Sequence, residues 1–343
     1  MKPTVPTHRP GPAHSAPLEP GDIMPPVNLP ALSGGTVELF ADHLAGNPIV
    51  LALAGRGDGG RALLDSLAAA LADFGAASAP VFGLGAREAG EGLPFPYLLD
   101  RDGKTAKAVN LPVDRPCLIV LGANTHVLYI GADVAAALAV VRAHQAMRQP
   151  VAIEAHPPVL LVPDVLSVAD RKFLTEVYET RGKTFVTPGD GSKGQTSDYK
   201  MRIPEYGRGD RIDHYVLDRD VLALLDRRLE RCVYPEIFKA FNYRITGREN
   251  YRIACYEGSR GGELHGHRDN TAPHVAHRRF AVSLNLNTEE FAGGELRFPE
   301  YGQQRYRPAS GAAICFSCSM LHEAMAVTAG RRLVVLAFLA GDT

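Results

Sequence analysis

Arg279-Phe280-Ala281-Val282-Ser283-Leu284-Asn285-Leu286-Asn287 decides how the second half of the chain folds. Phe280, Val282, Leu284 and Leu286 fall on one side of an extended strand, and Ala281, Ser283, Asn285 and Asn287 on the other. Around it the pattern stays short and extended. Residues 253–256, 264–267, 295–298, 312–317 and 332–339 read as strands, separated by turn chemistry at Gly261-Gly262, Gly293-Gly294, Tyr301-Gly302 and Ser310-Gly311. Such a succession predicts a double-sheet barrel, in which an inward polar strand face would line a site.

Working back from this region, residues 159–162 follow Pro157-Pro158 as an apolar strand. Ser167 is placed to cap a helix striped by Phe173, Leu174, Val177 and Tyr178. Residues 188–197 are Gly, Ser and charge without periodicity, a loop of the length that often covers an active site. Residues 221–241 carry Leu222, Leu225, Leu229 and Ile237 at helical spacing, with Pro235 expected to kink or split the helix.

The first half reads differently. An apolar strand at 49–54 leads through Gly55-Arg56-Gly57-Asp58-Gly59-Gly60 into a helix at 61–74, carried by Leu63, Leu64, Leu67 and Leu71. A strand at 79–84 follows, then a hairpin of 116–121 and 126–131 around Gly122-Ala123-Asn124-Thr125, then an Ala-rich helix at 134–144. With Pro20-Gly21-Asp22 before Pro25-Pro26-Val27 and the Arg115-Pro116-Cys117 step into the hairpin, this order resembles the thioredoxin and peroxiredoxin fold. The resemblance makes Pro116 the candidate for a cis peptide bond. Redox chemistry in that fold needs a low-pKa thiolate at the start of the first helix. Residues 55–62 contain no Cys, and Cys117 stands alone in an apolar strand. The expectation is a redox-dead module for scaffolding, homodimerisation or partner docking.

Composition sets the bounds. At 343 residues the chain exceeds one ordinary domain. Its 45% hydrophobic and 22% charged residues fit a globular protein. A net charge of -1 gives no electrostatic case for nucleic acid or an anionic membrane. Residues 1–20 are Pro-rich without an apolar core segment and read as a disordered tail; no apolar run reaches the ~18 residues of a bilayer span. Five cysteines are too few for a disulfide framework and point to reduced thiols in the cytoplasm. The expected organisation is a tail at 1–20, an α/β thioredoxin-like domain at 21–147, and a barrel with flanking helices at 148–343.

His267-Arg268-Asp269 is an H-x-D in which residues i and i+2 of one strand could bind one metal as adjacent ligands. By itself so short a motif is weak. His322 could complete a two-His, one-carboxylate facial triad, and Arg332 on the last strand could hold a carboxylate bidentately. Arg331 competes with Arg332, and His265 with His267. His274 and His277 sit in a loop. Cys315-x-x-Cys318 with His322 invites a zinc reading, although it lies in a strand without a second pair. Cys232 and Cys255 read as core.

The H-x-D, the Gly293-Gly294-Glu295-Leu296-Arg297-Phe298-Pro299 segment, His322 and Arg332 together resemble the iron(II) and 2-oxoglutarate-dependent dioxygenases of the prolyl 4-hydroxylase-like branch. The likeness spans residues 157–341 and implies a double-stranded β-helix of jelly-roll or cupin type. It implies His267, Asp269 and His322 as iron(II) ligands and Arg332 as the partner of the distal carboxylate of 2-oxoglutarate. Tyr256 matches a tyrosine that contacts the same carboxylate, although the spacing to His267 is longer here and Leu264 replaces a second tyrosine. The implied reaction is hydroxylation of an unactivated C–H bond with O2, giving succinate and CO2, with ascorbate as reductant in vitro. The implied substrate is a prolyl or lysyl residue of a protein or peptide, or a free amino acid or small metabolite. The alternative is a thioredoxin-like adaptor with a degenerate barrel.

Overall fold

The computed structural model describes residues 16–40, 44, 46–55, 59–148, 152–153, 155–182, 184–186, 199–204, 210–260 and 263–341. The loop expected at 188–197 lies outside them. Two compact units divide between Ala152 and Ile153. Among the described residues no helix is long and apolar enough to cross a membrane.

In the first unit a small hairpin, β1 (Asn28–Pro30) and β2 (Thr36–Glu38), precedes the main sheet. That sheet comprises β3 (Ile49–Leu53), β4 (Val81–Gly85), β5 (Tyr97–Leu99), β6 (Cys117–Leu121) and β7 (Val127–Gly131). Its order is β5-β4-β3-β6-β7, with β3, β4 and β5 parallel and the β6–β7 hairpin antiparallel. Helices α1 (Gly59–Ala69) and α2 (Leu71–Ala76) follow β3, short α3 (Arg87–Gly90) and α4 (Lys104–Ala108) flank β5, and α5 (Val134–Ala146) closes the unit. This is the expected thioredoxin-like arrangement. Alternate strand residues feed two cores: Val50, Ala52, Leu118 and Val120 pack with Leu64, Leu67 and Val141 of the helices, while Leu51, Leu53, Ile119 and Leu121 pack on the other face. Burial on both faces explains the unbroken apolar runs.

Two expectations fail here. Residues 16–20 are not a disordered lead-in: Leu18 is buried, and its N–H donates to the Val109 carbonyl at 3.0 Å. No cis peptide bond occurs among the described residues, so the Arg115–Pro116 bond is trans. Trans is the lower-energy X–Pro isomer wherever packing does not impose the other.

The second unit opens with β8 (Leu160–Val162) and α6 (Val168–Thr180), then β9 (Thr184–Val186), β10 (Tyr199–Pro204) and β11 (Asp210–Tyr215). Helices α7 (Arg219–Arg228) and α8 (Tyr234–Phe241) follow, and then ten strands. They are β12 (Gly247–Arg248), β13 (Arg252–Glu257), β14 (Leu264–His267), β15 (Phe280–Asn285) and β16 (Phe291–Gly293), then β17 (Leu296–Arg297), β18 (Arg305–Tyr306), β19 (Ala313–Ser317), β20 (His322–Ala324) and β21 (Val327–Ala340). The large sheet runs β8-β19-β15-β21-β13-β11-β10-β9, and the small one β14-β20-β17-β18. Together they form the expected double-stranded β-helix.

Ser167 caps α6 as expected: its Oγ accepts from Asp170 N–H at 3.1 Å, and Asp170 Oδ2 accepts from Ser167 N–H at 2.9 Å. Pro235 does not break the helix, which runs from Arg219 to Phe241 and absorbs the proline through a change of turn. A π turn at Leu229–Val233 joins α7 to α8, which Pro235 opens where no N–H is needed.

Period two sorts the large sheet into two faces. Val282, Leu284, Ile253, Cys255, Leu333 and Val335 pack against Leu174, Val177, Leu225 and Ile237 of the helices. Ala281, Ala254, Tyr256 and Val334 point the other way, into the barrel with Phe298, Phe316 and Ala324. The polar side of β15 follows this face only in part. Ser283 reaches the barrel cavity, whereas Asn285 donates to the Pro308 carbonyl and Asn287 to that of Arg331, so both tie loops.

Candidate metal centre and its cavity

The β14–β20 ladder sets His267 opposite His322, with ring centroids 4.3 Å apart. Asp269 lies beyond the end of β14, not on the strand with His267 as expected. It is anchored by its N–H, which donates to the Cys318 carbonyl at 2.9 Å, and by its own carbonyl, which accepts from Arg278 Nη1 at 3.2 Å. Its carboxylate therefore turns back toward the imidazoles, 3.4 Å from His267 Nε2 and 3.5 Å from His322 Nε2. One ligand atom from each residue falls within 4.8 Å of the others.

The imidazoles are oriented for coordination. His267 Nδ1 lies 2.8 Å from the His265 carbonyl and His322 Nδ1 3.1 Å from that of Met320. A carbonyl only accepts, so Nδ1 carries the hydrogen in each ring and the Nε2 lone pairs face Asp269. Phe316 and Phe298 hold the buried His322 ring at centroid distances of 4.6 and 6.4 Å. Burial opposes charge on His267, but the Asp269 carboxylate, to which the protonated ring would donate, outweighs it and raises its pKa. At His322 burial prevails and the pKa falls. Burial also acts against the Asp269 carboxylate, yet His267 and His322 hold it below the ordinary range. A carboxylate with two inward Nε2 atoms is a donor set suited to a divalent transition metal with open positions. The residues present fit iron(II).

Deeper in the barrel, Arg332 pairs with Tyr256 across β21 and β13, its guanidinium 5.3 Å from the phenol ring. Arg332 is only 3% exposed, and burial lowers its pKa. Nη2 donates weakly to Ser283 Oγ at 3.3 Å, Nε has no partner, and no carboxylate pairs with it among the described residues. A buried, unneutralised guanidinium costs several kcal/mol unless an anion comes to it. Gly294 makes room for it: at φ +69 its missing Cβ would sit 3.0 Å from Arg332 Cδ and from Val327 Cγ2. Neighbouring Gly293, at φ +72, would bring a Cβ within 2.2 Å of the Ala326 carbonyl oxygen. The Gly-Gly pair is thus required by the strand register beside Arg332. Arg211 Nη1 donates to Tyr256 Oη at 3.1 Å, which leaves the phenol hydrogen free to donate elsewhere. Triad, Arg332, Tyr256 and Ser283 line one cavity of about 230 Å³.

The profile of the 2OG-Fe(II) oxygenase superfamily matches residues 251–340, the stretch holding all three donors and Arg332. Residues 251–340 form a 2OG-Fe(II) oxygenase domain. The chain is similar to a 2OG-Fe(II) oxygenase-family oxidoreductase from Burkholderia pseudomallei, at 15% identity over 53% of this chain and 85% of that one, TM-score 0.40. A prolyl-4-hydroxylase from Pseudomonas putida aligns at 16% identity over 55% and 94% of the two chains, TM-score 0.39. Peroxidoxin BcpB from Mycobacterium tuberculosis aligns at 22% identity over 37% and 97%, TM-score 0.32. No curated protein matches the chain.

The oxygenase domain also disposes of the competing residues. Arg331 points out of the barrel and pairs with Glu179 at 2.5 Å, so of the two it is Arg332 that lines the cavity. His265 is exposed beside Glu263, and His277 binds Glu249 at 2.9 Å. Exposed His274 stands apart from the triad. Cys315 and Cys318 are buried in different cores, their thiols pushed up by desolvation, and neither belongs to a convergent donor group among the described residues. Several cavity residues escaped the sequence reading: Arg211, Arg252, Arg278 and Phe338. The signal was present in Arg211-x-Asp213-x-Tyr215 and Arg252-x-Ala254-x-Tyr256, where period two puts charge and aromatics on one strand face.

Proposed function

We propose that the second unit is an Fe(II)- and 2-oxoglutarate-dependent hydroxylase of an unactivated C–H bond. The observation that carries this is the pairing, in one cavity, of a His-Asp-His donor set with a buried guanidinium that lacks an anion. His267, Asp269 and His322 would hold iron(II). Arg332 would bind the distal carboxylate of 2-oxoglutarate, with Tyr256 and Ser283 donating hydroxyl hydrogens to it. When bound, iron and 2-oxoglutarate supply with O2 the oxidising power for hydroxylation, and succinate and CO2 are the co-products.

The chain's own part is positional. Carbonyls of His265 and Met320 fix both imidazole tautomers, Cys318 fixes the Asp269 backbone, and Phe298 with Phe316 shields His322 from water. Arg332 would set the co-substrate's orientation from the far end, where it projects from β21 into the space that Gly294 leaves for it. The substrate is a prolyl or lysyl residue, a free amino acid or a small metabolite, and ascorbate would serve as reductant in vitro. Incubation with Fe(II), 2-oxoglutarate and amino-acid or peptide pools is expected to yield succinate and a +16 Da product, both lost in His267→Ala. Stoichiometric iron binding without succinate above background would overturn the reading.

A further inference from the structure

We infer that Arg252 forms a carboxylate subsite for the primary substrate, which makes that substrate a small free acid and not an internal residue of a polypeptide. This rests on the hydroxylase reading of the same cavity. Strand β13 turns Arg252, Ala254 and Tyr256 to the barrel side, with Tyr256 opposite Arg332 and Arg252 opposite Leu336 on β21. Arg252 and Arg332 therefore occupy one face of one strand pair, four positions or roughly 13 Å apart. Arg332 serves the co-substrate at one end, so the cation at the other end needs a different anion.

Charge accounting singles out Arg252. Asp213 is held by Arg211 through two bonds of 2.7 and 3.0 Å. Glu249 is held by Arg278 through two bonds of 2.6 and 2.7 Å and also meets His277 at 2.9 Å. Arg252 only approaches these engaged carboxylates, at 3.9 Å from Asp213 and 3.6 Å from Glu249. Its guanidinium makes no hydrogen bond among the described residues, and its Nε is buried without a partner. Both carboxylates are thus already held by other guanidiniums. Arg252 lies instead against ring faces, 5.0 Å from the Tyr215 centroid and 5.3 Å from that of Phe338.

A planar guanidinium held against ring faces and without a hydrogen-bonded carboxylate matches a carboxylate ligand. The cavity of about 230 Å³ is smaller than the ~300–1,000 Å³ typical of drug-sized ligand sites, which favours a small molecule. The substrate class is therefore an amino acid, an N-acylated amino acid or a comparable carboxylic acid, hydroxylated at a carbon held near the triad while its carboxylate sits on Arg252.

The test uses the full chain with Mn(II) in place of iron and N-oxalylglycine filling the 2-oxoglutarate end, titrated calorimetrically with the free amino acids, the N-acetyl amino acids and the amides of both. At least one acid is expected to bind ~10-fold or more tightly than its amide, in line with a charge-assisted pair. Arg252→Gln should erase that preference, while Arg252→Lys, which keeps the charge, should retain part of it and so separate loss of the anchor from loss of fold. Acids binding no better than amides, no acid binding at all, or a preference that survives in Arg252→Gln would each overturn the subsite. Failure of the wild-type protein to bind Mn(II) or N-oxalylglycine would instead overturn the hydroxylase reading.

Discussion

The two units differ in the buried charge they leave without a partner. In the first, Asp100 accepts from the N–H groups of Lys104 and Thr105 at 2.7 and 2.9 Å, and His126 contacts the Gly21 carbonyl at 2.8 Å. Those groups are consumed by a helix start and a turn. In the second, Arg252 and Arg332 sit in the barrel with Nε atoms that nothing satisfies among the described residues. Burying an uncompensated charge, as at Arg332, is among the costliest things a fold can do, so its persistence marks a place where a ligand completes the structure. One fold keeps a sheet sealed by hydrocarbon on both faces; the other opens one face to chemistry.

The sharpest break in that contrast would come from the triad. Replacing His267, Asp269 or His322 by Ala is expected to weaken metal binding by at least ~100-fold, since loss of outer-shell partners alone costs ~10–100-fold. Calorimetry with Mn(II) reads this directly. Unchanged affinity in any of the three would remove that residue from the site.

A smaller effect with an unusual sign is expected at Arg332. Arg332→Met replaces a buried lone cation by an apolar chain, so the ligand-free protein should become more stable, by about 1–4 kcal/mol if it follows buried-charge replacements elsewhere. The same variant should lose the rise in Tm that 2-oxoglutarate gives the wild type. A destabilised variant would mean that Arg332 serves the fold and not a ligand.

Glu249 offers a pH test of the same unit. Burial tends to raise its pKa, but the hydrogen bond and charge of Arg278, with Arg252 and His277, bring it below the ordinary 4.5. A depressed carboxylate stabilises the fold above its unfolded value and loses that contribution as pH falls through the folded value. Tm should therefore fall below about pH 4.5, and Glu249→Gln should flatten that limb at the expense of stability at neutral pH. Equal slopes in both proteins would show that the Arg278 pair carries little of the acid sensitivity.

How far residues alone could go follows from what each contact requires. His267, Asp269 and His322 are rare donors at a telling spacing, and Arg332 is a charge inside an apolar strand, so their chemistry shows without a partner. Arg252 and Arg211 become meaningful only once β11 is known to pair with β13 in the register Asp213–Ala254 and Tyr215–Arg252. That pairing is invisible locally because residues 199–215 mix Lys200, Arg202, Arg211 and Asp213 into strands without a clean apolar alternation. Asp269 illustrates the converse. Its role was readable but its position was not, since the strand ends at His267 and the bond to Cys318, not strand geometry, aims the carboxylate.

The smallest expected effect tests the silent half of the comparison. Cys117 opens β6 opposite Leu53, half-buried at the edge of an apolar core, and burial pushes its thiol up to about 11. At pH 7 its thiolate fraction is then on the order of 10⁻⁴, and only the thiolate attacks peroxide or disulfide. Residues 55–62 supply no other thiol at the start of α1. Cys117→Ala should accordingly leave hydroperoxide consumption by the purified protein at its background, and thiol-reactive dyes should label the folded wild type slowly. Peroxide turnover that vanished with Cys117 would show that the first unit also carries chemistry, and the division of labour between a sealed sheet and an open one would no longer hold.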